Sequence, residues 1–322
     1  MKLFIQMVLG WVACCLLASY GFALPGEVKM IKTLRDIDYS GKADLSAQIE
    51  SLYQRKWDVF SVGSLSLLLM AMAEQGEQAS YKQASAKLQA FLGYTFDSTL
   101  NAWMEGRLLL AADSIGDKAT VEQIEPELTR LLNGMKSGST PPPTNKNYPM
   151  YAFSWGYLAA LNQKQYQLHK ADLIVVANEL IKEVTQGKSP LSDHDRLTNA
   201  VWMLVMNLQA AANAQDKKTY NHFLQQLKSV TKQHSVSAAL SHVLIRATDS
   251  SDYPAWAMSI VYLSAVTLHD QVLSQELKTS LEQTLRDAQE WENRPNQSEE
   301  NQWKAKAEIV IARLNATLAQ YR

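Results

Sequence analysis

Residues 192–230 read SDHDRLTNAVWMLVMNLQAAANAQDKKTYNHFLQQLKSV, and this stretch decides the fold. Ser192 with an acid three positions later, Asp195, is the arrangement of a capping box at a helix start. Trp202-Met203-Leu204-Val205-Met206 follows, so the segment is apolar on every side and suits a helix surrounded by protein. A short polar turn comes next. Tyr220–Val230 then places apolar residues at i, i+3 and i+4 among polar ones, the pattern of a helix with one wet face. The spacing predicts helices over 193–214 and 217–231, the first inner and the second outer.

The same alternation extends along the chain. Periodicity and the abundance of Ala, Leu, Gln and Lys predict helices over 44–55, 57–75, 79–92, 98–115, 119–133, 150–163, 168–186, 235–247, 254–268, 271–291 and 299–320 as well. Pro126 is a point where the 119–133 helix could restart. Gly76, Gly93, Gly116, Gly134, Gly187 and Pro190 punctuate these spans, and Pro254 suits a first helical turn. The fold class is all-α.

Tryptophans stand at 57, 103, 155, 202, 256 and 303, with Trp11 and Trp291 outside the series. Most lead into very apolar runs, such as Leu108–Ala112, Leu158–Leu161 and Ile260–Leu263. More charged amphipathic segments follow: Glu127–Asn133, Leu173–Val184 and Leu277–Leu285. The unit this implies is an inner–outer helix pair of about 50 residues, longer than tetratricopeptide or ankyrin repeats. Such pairs suit an (α/α) toroid, with an open α-superhelix as the alternative.

Composition narrows the function. The 322 residues carry 31 Lys+Arg against 32 Asp+Glu, a net charge of -1, and 47% are hydrophobic. That balance excludes a disordered chain and gives no basic surface for nucleic acid. At the N-terminus, Lys2, the apolar run Leu3–Leu17 and the small residues Gly21 and Ala23 read as a secretory signal peptide cleaved after Ala23. The alternatives are a membrane anchor through residues 3–23 and a lipidated Cys14. The chain's two cysteines, Cys14 and Cys15, both lie in this segment. A mature chain would therefore have no disulfide, thiol nucleophile or cysteine metal site. No later segment has 18 uninterrupted apolar residues, so no span is expected in the mature chain. The expected organisation is a signal peptide at 1–23 and one helical-repeat domain at 24–322. A Pro-rich loop at 137–149 interrupts it, and Glu292–Gln297 is a second break. Localisation is expected to be periplasmic or secreted.

Candidate chemistry lies where the apolar helices begin. If those helices run the same way, one mouth gathers Tyr94, Phe96, Asp97, Tyr148, Tyr151, Asp193, His194, Asp195, Asp252 and Tyr253, with Glu299 and Glu300. Aromatic faces stack on sugar C–H surfaces, carboxylates accept hydroxyl hydrogen bonds, and a carboxyl pair can cleave a glycosidic bond. Tyr94, Phe96, Tyr148, Tyr151, His194 and Tyr253 are the ligand-binding candidates. Asp97, Glu105, Asp193, Asp195 and Asp252 are the catalytic candidates. Each also has a plainer reading, since Asp97, Ser192 and Asp252 suit helix N-caps and helix-end tyrosines bridge core and water. Glu105 and Arg107 sit in an apolar helix on different faces, where charges call for partners elsewhere.

Of the six histidines, His169, His194, His222, His234, His242 and His269, two precede an aspartate, as His194-Asp195 and His269-Asp270, with His169 and His242 some way ahead of them. Through a dipeptide and a loose spacing, they resemble the His…His-Asp…Asp metal pattern of HD-type phosphohydrolases, which are also helical. Such dipeptides arise often by chance, and the expectation is no metal and no cofactor. Phosphate-cradling, zincin, nucleophile-elbow and EF-hand signatures are absent from the sequence. Two functions remain. One is an exported binding or interaction protein of the cell envelope, with a saccharide, cell-wall or protein ligand. The other is a toroidal glycoside hydrolase or polysaccharide lyase using paired carboxylates.

Overall fold

The computed structural model describes residues 78–92, 98–137, 163–187, 192–244 and 253–295, with isolated positions between 69 and 76 and between 298 and 319. All of them belong to one compact unit, Ser51–Arg322. Among the described residues every element is helical and no strand occurs. The helices with both ends defined there are α1 (Gln78–Leu92), α2 (Ser98–Ile115), α3 (Lys118–Ser137), α4 (Gln163–Gln186) and α5 (Asp193–Asn213). They continue as α6 (Lys217–Thr231), α7 (Val236–Val243), α8 (Pro254–Thr267) and α9 (Gln271–Glu292).

Burial separates two kinds of helix. In α5 every residue from Ala200 to Ala212 is buried, and in α8 every residue from Pro254 to Val261 is buried. The more polar α6 buries Tyr220, Phe223, Leu224 and Leu227, one stripe at helical spacing, together with Thr219 and Thr231 near its ends. α5 packs against α4, α6 and α8, while α2 lies on α3 and α8 on α9. Trp202 of α5 and Trp256 of α8 meet edge to face with ring centroids 5.3 Å apart, so both indoles join two apolar helices. Trp291, outside the tryptophan series, is equally buried. The side chains of Trp57, Trp103, Trp155 and Trp303 lie outside the described residues.

The connections explain how apolar and amphipathic helices are joined. Gly116, Gln215 and His269 all adopt left-handed backbone, with φ of 75°, 57° and 54°. Each closes its helix with the same pair of bonds: Gly116 N–H to Asp113 O and Asp117 N–H to Ala112 O, Gln215 to Ala212 and Asp216 to Ala211, His269 to Val266 and Asp270 to Ala265. This is the Schellman arrangement, which satisfies the last carbonyls of a helix. The aspartate that follows caps the next helix. Asp117, Asp216 and Asp270 accept from the backbone N–H of Thr120, Thr219 and Leu273 at 3.1–3.2 Å. One helix ends and the next begins with scarcely any loop between them.

Several predicted boundaries are corrected. α3 runs through Pro126 to Ser137 instead of stopping at 133. Pro126 and Glu122, whose carbonyl loses its helical donor, are both exposed, so water can take the missing bond. α4 starts at Gln163 rather than 168, because Gln165 and Tyr166 are buried and bonded across to neighbouring helices. α7 stops at Val243 instead of 247. Ser192 caps α5 through Asp195 N–H at 3.1 Å, and Pro254 stands in the first turn of α8, as the sequence indicates.

Candidate functional site

Of the candidate residues, Tyr94, Phe96, Asp97, Tyr148, Tyr151 and Asp252, with Glu299 and Glu300, lie outside the described residues, as do the signal segment and the Pro-rich loop beyond Ser137. Of those that are described, Asp193, Asp195 and Tyr253 have structural partners. Asp195 holds the Ser192 hydroxyl at 2.6 Å within the capping box. Asp193 is almost fully exposed and pairs with Arg196, one turn along the same helix. His194 is exposed on that first turn. Tyr253 takes left-handed backbone (φ 54°) just ahead of α8, and its ring lies 6.1 Å from that of Trp256.

Tyr253 offers α8 no side-chain cap. A distant residue does so: the buried carboxylate of Glu308 accepts from Ala255 N–H at 2.7 Å. A negative charge there complements the positive end of the helix dipole. Asn315, further along the closing segment, donates to Ser259 at 2.9 Å.

Glu105 and Arg107 go separate ways. Arg107 donates to Met70 Sδ at 3.3 Å and to Gln209 Oε1 at 3.1 Å. Glu105 is buried, and its Oε2 has no hydrogen-bond partner. Burial, then the nearby charge of Glu127, pushes its carboxyl up to about 8, against the pull of Arg130. Glu127 is shifted the other way, below the usual carboxylate range, because Arg130 clasps both of its oxygens.

A cavity among the described residues sits at the opposite end of the apolar helices from the predicted mouth. It measures about 370 Å³ and lies where α2, α5 and α8 all terminate. Ser114, Asn213, Gln215, Thr267 and His269 supply its polar lining, and Met70 and Leu110 its apolar wall. α5 has 21 residues, so Asp193 and Asn213 are about 30 Å apart at its two ends. Gln215 also ties the site together, donating from Nε2 to the carbonyls of Ala212 and Thr267. A smaller cavity of about 260 Å³ lies at the start of α8, beside Pro254, Trp291, Asp287 and Arg294.

No described position gathers three or more His, Cys, Asp or Glu side chains in a metal-binding group. The two His-Asp pairs belong to helix ends: Asp195 to the capping box of α5, and His269-Asp270 to the turn between α8 and α9. No helix among the described residues is long and apolar enough to cross a membrane. No family model, curated protein or solved structure matches the chain. The cavity at 114, 215 and 269 escapes sequence reading because its turns are built from glutamine and histidine as well as glycine. A D-x-x-T pattern immediately after an apolar run, at Asp117–Thr120 and Asp216–Thr219, is the signal that marks those turns.

Proposed function

We propose that this chain is an exported, helical-repeat binding protein of the cell envelope that recognises a saccharide or cell-wall ligand. The observation that carries this reading is the fate of the described carboxylates. Asp193 and Asp195 serve the start of α5, Asp117, Asp216 and Asp270 cap helices, and Glu308 caps α8. These described carboxyl groups, each spent on a separate helix start, do not form a pair for acid–base work on a glycosidic bond.

Glu105 and Glu127 are the one described pair with opposing shifts, which is the pattern of an acid and a base. Glu127 is nevertheless clasped by Arg130, and neither residue lines either cavity. Binding is the better supported function. The repeated Schellman–aspartate turns support inner–outer pairs of about 50 residues, and we carry forward an (α/α) toroid as their arrangement. The N-terminal segment supports a periplasmic or secreted location.

A thermal-shift screen of the chain against oligosaccharides and wall fragments tests this reading. A ligand that binds only the folded chain stabilises it by about 2.7 kcal/mol at a hundred times its dissociation constant. A saccharide-specific rise in melting midpoint is the expected result. Loss of that rise in Tyr151→Ala or Asp193→Ala would place the ligand at the starts of the apolar helices. No rise with any glycan would remove the saccharide reading and direct the search to protein partners.

A further inference from the structure

We infer that the 370 Å³ cavity at the ends of α2, α5 and α8 is a binding site for a small, uncharged, hydroxyl-rich molecule of about monosaccharide size. The inference rests on the binding reading above and places the ligand at the opposite end of the helices from the predicted mouth. Its volume falls at the lower end of the range for small-molecule pockets, about 300–1,000 Å³.

The polar lining can both donate and accept. Ser114 and His269 make no side-chain hydrogen bond with any described residue, and both are exposed to the cavity side of solvent. Gln215 has its amide nitrogen committed to two helix-end carbonyls, which leaves its Oε1 as an acceptor. Met70 and Leu110 provide an apolar wall for the C–H face of a sugar ring. That combination of a few convergent polar groups on an apolar wall is what small-molecule sites use.

Charge decides between ligand classes. Among the described residues that line the cavity there is no Lys, Arg, Asp or Glu, so neither an anion nor a cation would meet a counter-charge in exchange for the water it gives up. A neutral molecule avoids that penalty.

Calorimetric titration of the full chain with glucose, N-acetylglucosamine, glucosamine and glucuronate tests this, since glucosamine and glucuronate add opposite charges to one scaffold. Neutral sugars are expected to bind, and the two charged ones to bind more weakly. Ser114→Phe fills the cavity from an exposed position. His269→Gly removes the imidazole at a backbone angle that glycine adopts freely. Each is expected to weaken neutral-sugar binding about tenfold or more, the equivalent of one lost hydrogen bond to a buried partner, with the melting midpoint of the unliganded chain showing that the fold persists. Tighter binding of either charged sugar overturns the inference. Neutral-sugar binding that survives both variants but is lost in Asp193→Ala also overturns it, while leaving the binding reading intact. The same holds if wall fragments shift the midpoint and no monosaccharide binds. Silence from every saccharide removes both.

Discussion

The hydroxyl of Tyr166 donates to Asp216 across 3.0 Å and fastens the first turns of α4 and α6, 50 residues apart in the chain. Tyr81, at the equivalent place in α1, reaches Asp117 at 3.2 Å in the same way. Tyr220 occupies that place in α6 and feels the charge of Asp270, but its hydroxyl has no hydrogen-bond partner. Substituting these tyrosines separates the contributions. Tyr166→Phe should lower stability by about 1.5–3 kcal/mol, the net range for a hydrogen bond to a charged acceptor. Tyr220→Phe should be neutral or slightly stabilising, because it removes only an unsatisfied buried hydroxyl. Urea unfolding of both variants checks the contrast, and equal losses would contradict it.

Asp216 has more partners than the tyrosine alone. Burial pushes its pKa up, but Lys170, the Thr219 N–H and hydroxyl and the Tyr166 hydroxyl outweigh burial and hold the carboxyl well below the usual range. A group whose folded-state value is depressed stabilises the protein above its unfolded value and loses that contribution as pH falls. Stability should therefore drop below about pH 4, the ordinary aspartate range, as pH moves towards the lower folded value. Asp216→Asn should flatten this acid limb, measured as the melting midpoint between pH 2 and 6. Its cost at neutral pH should be about 1–3 kcal/mol for a weakened cap and a lost charged partner.

Glu105 has the opposite sign. Its folded value of about 8 stands above that of an unfolded glutamate. As pH rises from the ordinary glutamate range towards 8, the unfolded chain releases a proton that the folded chain retains. Stability should decline through that window and level off above it. Glu105→Gln removes the penalty and should raise stability by about 1–3 kcal/mol at pH 8, with little change at pH 4. Thermal melts across pH 4–9 read this directly, and a variant whose profile parallels the wild type would contradict the assignment.

The left-handed turns give a further contrast. Gly116 has open space where a Cβ would lie, so Gly116→Ala should cost about 1 kcal/mol through backbone conformation alone. Gln215 pays that cost in the native chain, yet Gln215→Gly also deletes the side-chain bonds to Ala212 and Thr267. The gain from relieved backbone should then be largely cancelled, leaving a change within about 0.5 kcal/mol in chemical denaturation.

These turns also show where the sequence is legible. The all-helical class follows from 3.6-residue periodicity, and α2 and α6 begin and end where that pattern does. α4 was harder to read because Gln163-Lys164-Gln165-Tyr166 looks polar, whereas Gln165 and Tyr166 are buried by neighbours far away in the chain. Aromatic and acidic residues cluster in the sequence at the starts of the apolar helices. The 370 Å³ cavity lies at their ends, where Gln215 and His269 take a backbone conformation that composition does not announce. Glu308 illustrates the same limit, since it caps α8 from 53 residues away. Glu308→Ala should destabilise by about 2–4 kcal/mol, because a buried N–H loses its charged acceptor.

Incubating the chain with a panel of wall fragments, while following both its melting midpoint and the masses of the fragments, tests binding against turnover in one sample. The account predicts a midpoint that rises with fragment concentration and masses that stay unchanged. Shortened or unsaturated fragments would contradict it and restore the carboxylates to a catalytic role.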